Sequence, residues 1–514
     1  MKRLVFTVLS LCAALVAGAQ SFSEIELDQA RAIWLNSGNA AGISASKLLD
    51  FKDISLNFDA QSGDFAHTYD ASSQTDCSLK GRGVASLAGF KLAGSLLLDR
   101  SSLQDVAFNN SLYEVSPFTR PYWFLDYTAA GYDWSRTNCA ADLSLASPLF
   151  LDGRLAAGIN VKLDYKSAAR DADISAAYSS FGIEFAPSAI FKIDNQNTIG
   201  LALRFANTPE KSSISQAEGE DGMVAFARGL GQYKMRNLSG VNPVGDIAYQ
   251  NNYKGVSIQY DRLSAKNNSE LLLDLGLTTG NSYMQAGGSD MASIDDICTD
   301  FSLTHLKGEH HNRILTLAAQ YRLMYDFDKT FGSSIHSLEY MNARLLLDYM
   351  VYFGAPTTSY SWFMGLRADI NYLNQKRVQK PDGIFTAPEA LASALLGKNT
   401  SLGSKSELMC SLRMGYHFSF GAQYSYGATS STLASGDDDG TTVAQQTDLI
   451  STMLYSEESY YLKQYYYLAS PQVRYSVKIS DRLSAYGLVQ GSFIKPVTAS
   501  GSRLTAGGSI GIIF

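Results

Sequence analysis

Residues 154–166 read Arg-Leu-Ala-Ala-Gly-Ile-Asn-Val-Lys-Leu-Asp-Tyr-Lys. Leu155, Ala157, Ile159, Val161, Leu163 and Tyr165 share one face, and Arg154, Ala156, Gly158, Asn160, Lys162, Asp164 and Lys166 share the other. Successive side chains of a strand point to opposite faces, so a period of two sustained over this stretch is a strand with an apolar and a polar side. A helix would scatter the same apolar residues around its surface.

The pattern recurs along the chain. In 198–206, Ile199, Leu201, Leu203 and Phe205 oppose a row carrying Arg204. In 313–327, Leu315, Leu317, Tyr321, Leu323 and Tyr325 oppose Gln320, Arg322 and Asp326. In 361–373, Trp362, Met364, Leu366 and Ile370 oppose Arg367 and Asp369. In 407–416, Leu408, Cys410, Leu412 and Met414 oppose Arg413; in 472–479, Val473, Tyr475, Val477 and Ile479 oppose Arg474 and Lys478. Strands of soluble sandwiches run to about 5–6 residues, whereas a tilted strand needs about 9–11 to cross a bilayer. These segments run to the longer value, and their second faces are too charged for a dry interior. The apolar rows are expected against lipid and the polar rows around a wet lumen. The sheet must then close, because an open edge in hydrocarbon leaves backbone groups unpaired.

Composition agrees. Of 514 residues, 46% are hydrophobic and 18% charged, which excludes a disordered chain. Thirty Tyr and 25 Phe against 11 Pro suit strands. After the N-terminus there is no apolar run of about 18 residues, so helical spans are excluded. The expected fold class is all-β: a transmembrane antiparallel up-and-down barrel of about 18 strands, with 14 to 18 admitted.

The first residues read as a leader. Lys2 and Arg3 precede an apolar stretch from Leu4 to Val16, and Ala17-Gly18-Ala19 is a small-residue cleavage site, so the mature chain is expected to start after Ala19, at Gln20. The expected organisation is a signal peptide at 1–19, an N-terminal segment or plug at 20–45 and an outer-membrane barrel at 46–514. At the far end, Leu504, Ala506, Gly508, Ile510, Ile512 and Phe514 alternate with polar or small residues. Thr505, Gly507, Ile510, Ile512 and Phe514 resemble the C-terminal signal of bacterial outer-membrane barrels. That resemblance implies recognition by the barrel-assembly machinery, and with it passage by periplasmic chaperones into outer-membrane lipid.

Connection lengths set the strand count, since such barrels alternate short periplasmic turns with longer outer loops. Short connections are expected near Gly89, at 151–153, 194–197, 263–269, 308–312, 353–360, near His417 and at 480–482. Long ones are expected at 61–76, 101–130, 167–179, 207–245, 281–297, 374–404 and 429–458. Pro187 and Pro471, inside strand segments, imply bulges or shifted boundaries. Tyr325, Phe327, Tyr349, Phe353 and Tyr465 to Tyr467 fit an aromatic girdle.

The chemistry-bearing candidates are few. Without Lys2 and Arg3, 40 basic residues face 49 acidic ones, a net charge of −9, which disfavours nucleic acid as a partner. Cys77, Cys139, Cys298 and Cys410 form no C-x-x-C pair, so no zinc site is indicated, and a single disulfide stays open. Gly507-Gly508-Ser509-Ile510-Gly511 matches G-x-S-x-G, but that motif needs a strand-to-helix turn. The run His305, Glu309, His310, His311 reads as a solvated turn, and the acidic groups Glu218, Glu220, Asp221 and Asp437 to Asp439 as solvated loops. No catalytic residue, metal or cofactor is expected. What remains is the lumen: Arg154, Lys162, Arg204, Arg322, Arg344, Asp348, Arg367, Asp369, Arg413 and Arg474 are expected to point inward. They would form either a salt-bridged wall or a charged ladder that screens a small solute.

Residues 82–170 carry a resemblance. Phe90-Lys91-Leu92-Ala93-Gly94-Ser95, Phe108-Asn109-Asn110, Pro121-Tyr122-Trp123, Asp126, Asp152-Gly153, Gly158 and Asp164-Tyr165 resemble a Bacteroidetes outer-membrane β-barrel family of unknown function. Asn36-Ser37-Gly38-Asn39-Ala40-Ala41-Gly42 is similar to the Asn-Pro-Ala-Gly element of long-chain fatty-acid transporter (FadL-like) barrels, with Ala40 in place of the Pro. This second likeness implies that residues 20–45 plug the lumen. The functional expectation is passive or facilitated transport of a small solute. The alternative is an accessory barrel partnering another outer-membrane uptake or secretion component.

Overall fold

Long amphipathic strands leave one solution to the edge problem, and the chain takes it. The computed structural model describes residues 22–46, 48–109, 113, 124–125, 131–170, 174–216, 223–227, 230, 233–237, 247–286, 289–308, 311–328, 338–354, 360–378, 382–426, 456–480 and 482–514. Eighteen antiparallel strands form a closed barrel. They are β1 (Phe51–Ser62), β2 (Ser73–Leu87), β3 (Phe90–Val106), β4 (Tyr132–Ala146), β5 (Leu155–Arg170) and β6 (Ile174–Lys192). There follow β7 (Asn197–Gln216), β8 (Ile247–Ser264), β9 (Ser269–Ala286), β10 (Ser289–Lys307), β11 (Arg313–Asp328) and β12 (Leu338–Phe353). The last are β13 (Trp362–Arg377), β14 (Gly383–Ser401), β15 (Ser406–Ser419), β16 (Tyr466–Ser480), β17 (Leu483–Pro496) and β18 (Arg503–Ile513). Each pairs with its sequence neighbours, and β18 closes onto β1 from Asp53↔Ile513 to Ser62↔Leu504.

The faces divide as the period of two requires. Ile510 is 74% exposed, Val489 68% and Leu366 61%, all on the outside. Their inward neighbours Ser509 and Ile513 are buried. An apolar belt on the outside of a closed sheet is the form that strands take in hydrocarbon.

The strands range from 11 residues in β18 to 20 in β7. About 9–11 suffice to cross the hydrocarbon, so β6 and β7 carry the wall beyond it. This explains two differences from the sequence-based expectation. The long connections expected at 167–179 and 281–297 shrink to 171–173 and 287–288, because the strands continue past the apolar belt. A third difference is a correction of assignment: 374–404 is not a loop but holds β14, the turn is 402–405, and His417 lies within β15. The outward row of β14 is Ile384, Thr386, Pro388, Ala390, Ala392, Ala394 and Leu396, while Leu391 and Leu395 face inward. With small residues outside and apolar ones inside, the alternation fades. Pro187 and Pro471 each interrupt pairing on one side only: β6 to β7 skips from Phe185↔Phe205 to Ser188↔Ala202, and β16 to β17 from Ala469↔Phe493 to Gln472↔Gln490. The missing proline N–H accounts for both gaps.

Residues 22–46 lie inside the barrel at the end with the short turns. They form helix α1 (Phe22–Arg31) and two 3-10 turns, Ile33–Asn36 and Ala40–Ala45. Residues 1–21, and with them the leader and the Ala19/Gln20 junction, lie outside the described residues. So do Glu218, Glu220, Asp221 and Asp437 to Asp439. Cys77, Cys139, Cys298 and Cys410 are unpaired, so the disulfide left open by the sequence does not form.

Candidate functional site

The inner segment is fixed to the wall residue by residue. Phe22 meets Tyr486 edge-on at 4.6 Å, and the Arg474 guanidinium lies 3.9 Å above the Phe22 ring. Glu26 accepts from Arg474 Nη1 at 2.7 Å and from the Tyr360 hydroxyl at 2.6 Å. Ser23 donates to Glu407 at 2.9 Å, and Trp34 Nε1 donates to Asp261 at 3.1 Å. Asn39 explains the Asn-Ala-Ala-Gly run. Its Oδ1 accepts from the Gly42 N–H at 3.3 Å and starts the second 3-10 turn; its Nδ2 donates to Gln259 at 2.8 Å and to the carbonyls of Ala189 and Leu201. Gly42 packs beneath Trp34, and Gly158 on the wall packs against the backbone of Ala40 and Ala41, so a side chain at either glycine would collide. The segment is a floor fitted to this barrel.

Above its Ser37 and Gly38 lies a cavity of about 570 Å3, facing β5 to β13. Four cations line it, Lys162, Arg204, Arg344 and Arg367, and three anions, Glu184, Asp274 and Asp300. Glu184 accepts from Arg204 at 2.5 Å and from Lys162 at 3.3 Å. Asp369 joins Arg344 at 2.5 Å and Arg367 at 3.7 Å. Higher up, Arg322 holds Asp296 through Nε at 3.0 Å and Nη2 at 2.5 Å. Paired charges on a rigid sheet present a fixed pattern of donors and acceptors to whatever enters.

A second compartment of about 530 Å3 lies on the other side, above Glu26 of α1 and between β12 and β18. Its wall is chemically different: Ser411, Ser470, Gln472, Gln490, Ser492 and Thr505, with Arg413 as its cation.

The far end of the lumen is narrowed by a clasp of loops. Helix α2 (Glu457–Leu462) turns inward, and the buried Glu458 meets His67 Nδ1 at 2.6 Å and the Thr68 N–H at 3.3 Å. Tyr461 packs on Phe65 at 4.7 Å. Next to it, His417 stacks on Tyr466 at 4.3 Å, meets the Gln464 carbonyl at 2.9 Å and meets Glu389 at 3.2 Å. Desolvation opposes the charged form of His67, but the Glu458 carboxylate outweighs it, so the imidazole pKa is raised.

The ten candidate lumen residues therefore separate. Lys162, Arg204, Arg344 and Arg367 line the charged cavity, with Asp369 bridging two of them and Asp348 opposite Arg367 in the β12 to β13 pairing. Arg322 is tied to Asp296, Arg413 lines the second compartment, and Arg474 is covered by α1. Arg154 belongs to the exposed turn before β5 rather than to the wall. Three partners escaped the sequence reading: Glu184, Asp296 and Glu26. Glu184 was findable, since it sits between the outward Ile183 and Phe185 and so falls on the inward row. Among the described residues no group of three His, Cys, Asp or Glu could hold a metal ion. Ser509 sits in β18, away from any strand-to-helix turn. Gly507 on that strand leaves room for Asp59, and Ile510 and Ile512 face outward. Phe514 exchanges backbone hydrogen bonds of 2.9 Å with Lys52.

A family model described as "Family of unknown function (DUF6850)" matches residues 40–514. No curated protein matches significantly. Among solved structures, the ferric preacinetobactin receptor BauA from Acinetobacter baumannii is similar at 9% identity and a TM-score of 0.37, over 90% of this chain and 80% of that one. The ferric citrate transporter FecA in its unliganded form is similar at 10% identity and a TM-score of 0.37, over 90% and 78%. The Pseudomonas putida toluene transporter TodX is similar at 11% identity and a TM-score of 0.31, over 97% and 99%.

Proposed function

The chain belongs to the family of unknown function that its residues 40–514 match, and on that premise we propose an outer-membrane barrel that passes a small polar solute through a charged lumen. The carrying observation is the cavity above Ser37 and Gly38, where Lys162, Arg204, Arg344 and Arg367 alternate with carboxylates. No covalent step is needed. Solutes are selected by width and by the pattern of charge, and residues 22–46 act as the floor that must shift or be bypassed. In this reading a leader ending at Ala19 directs the chain outward from the cytoplasm and leaves Gln20 as the first mature residue. Gly507, Ile510, Ile512 and Phe514 serve as the assembly signal read by the barrel-assembly machinery after delivery by periplasmic chaperones. The short turns then face the periplasm of a Gram-negative cell.

A second reading has its own support. The floor is tied down by Asn39, Trp34, Glu26 and Ser23 at once, as suits an accessory barrel that partners an uptake or secretion component and conducts nothing. Planar-bilayer recordings of the purified full chain decide between them. Transport predicts discrete steps whose ion selectivity shifts in Arg367→Ala. A silent barrel that co-purifies with another outer-membrane protein from native membranes sinks the transport reading and supports the second.

A further inference from the structure

The compartment above α1 differs from the charged cavity in a way that specifies a ligand. Its carboxylate, Glu26, is already engaged by Arg474 and Tyr360. Its cation, Arg413, is not matched: the guanidinium donates to the neutral Ser393 hydroxyl at 3.2 Å, and it forms no ion pair among the described residues. Asp348 acts on it only through space. Beside Arg413 stand half-buried apolar side chains, Met350, Tyr352 and Leu395. The adjoining strands β16 and β17 offer the amides of Gln472 and Gln490 and the hydroxyl of Ser492. The volume of about 530 Å3 falls within the range of small-molecule sites, roughly 300–1,000 Å3. A guanidinium with open donors on a low-dielectric wall favours a planar oxyanion, which it can hold with two parallel hydrogen bonds.

We propose that this compartment binds a compact organic anion, with its carboxylate on Arg413 and its apolar body against Met350, Tyr352 and Leu395. Gln472 and Gln490 supply neutral hydrogen bonds along the ligand's edge. The site goes beyond solute passage, because binding here requires no throughput.

The test is calorimetric titration of the purified full chain in detergent with three probes: phenylacetate, acetate and 2-phenylethanol, each against a detergent blank. Phenylacetate carries both features, and each of the others carries one. The expected result is a Kd for phenylacetate at least about tenfold below that of either partial probe, the effect of one charge-assisted hydrogen-bonded contact. Arg413→Gln is expected to reduce phenylacetate to the level of 2-phenylethanol. Ser492→Trp, which fills the space and leaves Arg413 in place, is expected to abolish binding of all three. Folding of each variant is checked by the heat-dependent gel migration of the barrel. Equal affinities for the three probes overturn the proposal, as does an unchanged Kd in a folded Arg413→Gln. If that variant does not fold, retention of phenylacetate binding in Ser492→Trp overturns it. Conductance plays no part in the readout, so a silent pore leaves this inference standing, and failed binding leaves the transport reading standing.

Discussion

On the β5 to β13 side of the lumen, charges are matched with charges: Arg204 and Lys162 share Glu184, Arg344 and Arg367 share Asp369, and Arg322 grips Asp296. On the β14 to β18 side the wall is mostly amide and hydroxyl, and Arg413 stands with a neutral partner. Both walls are built from the same alternating strand, and both meet the same floor. The difference teaches that the inward row is the variable part of such a strand. The outward row must stay apolar to satisfy lipid, whereas the inward row is free to carry either a self-satisfied ionic lattice or a surface with bonding capacity left over.

The comparison can be broken most forcefully at the floor that the two sides share. Removing residues 22–46 is expected to open both compartments at that end of the barrel and to raise single-channel conductance by the largest factor of any change described here. A conductance unaltered by that deletion would mean that the floor does not limit the path. Gly158→Val attacks the same seat from the wall, since its side chain would collide with Ala40 and Ala41. It is expected to raise conductance while leaving the barrel folded, an intermediate effect in the same recordings.

Next in size is the clamp on α1. Arg474→Ala leaves Glu26 with Tyr360 alone and uncovers Phe22. Loss of a buried pair costs about 3–5 kcal/mol, but Glu26 is 34% exposed, so screening brings the expected loss down to about 2 kcal/mol. Hydrogen exchange of Phe22–Arg31 should rise accordingly, with the strand amides unaffected. Smaller still is the effect of Arg367→Ala on the charged side. The barrel is expected to stay intact, and the reversal potential in a salt gradient to move toward cation preference.

The smallest effect is at the clasp. Because the folded pKa of His67 lies above its unfolded value, the His67 and Glu458 contact contributes fully below about pH 6.5 and fades as pH rises through the raised value. Protection of α2 amides, taken relative to the intrinsic base-catalysed exchange rate at each pH, is expected to fall a few-fold between neutral and alkaline pH, and His67→Gln to flatten that dependence. A flat profile in the unaltered chain would remove the clasp from the account.

How much was legible beforehand depended on whether one row of a strand had a single job. The outward rows of β5, β7, β11 and β13 did, and their alternation revealed the closed barrel, while the strand number came from the lengths of the connections. β14 did not: Ala390, Ala392 and Ala394 outside and Leu391 and Leu395 inside blur the period, so it read as a loop and displaced a turn to His417. The cations of the lumen could be named, but not who holds them. Glu184 reaches Arg204 across two paired strands, and Glu26 reaches Arg474 from a helix more than 400 positions away in the chain. Register and docking set such contacts, and neither is written in local periodicity. The split of the lumen into two chemistries was illegible for the same reason, since it depends on which inward residues the register brings side by side.

The seam between β1 and β18 joins the earliest strand to the latest, and Phe22, Ile25 and Ile43 share one apolar cluster with Phe51, Tyr486 and Ile513 beside it. The apolar seat of the N-terminal segment is therefore complete only when Ile513 is in place, so the strand that closes the wall also finishes the floor.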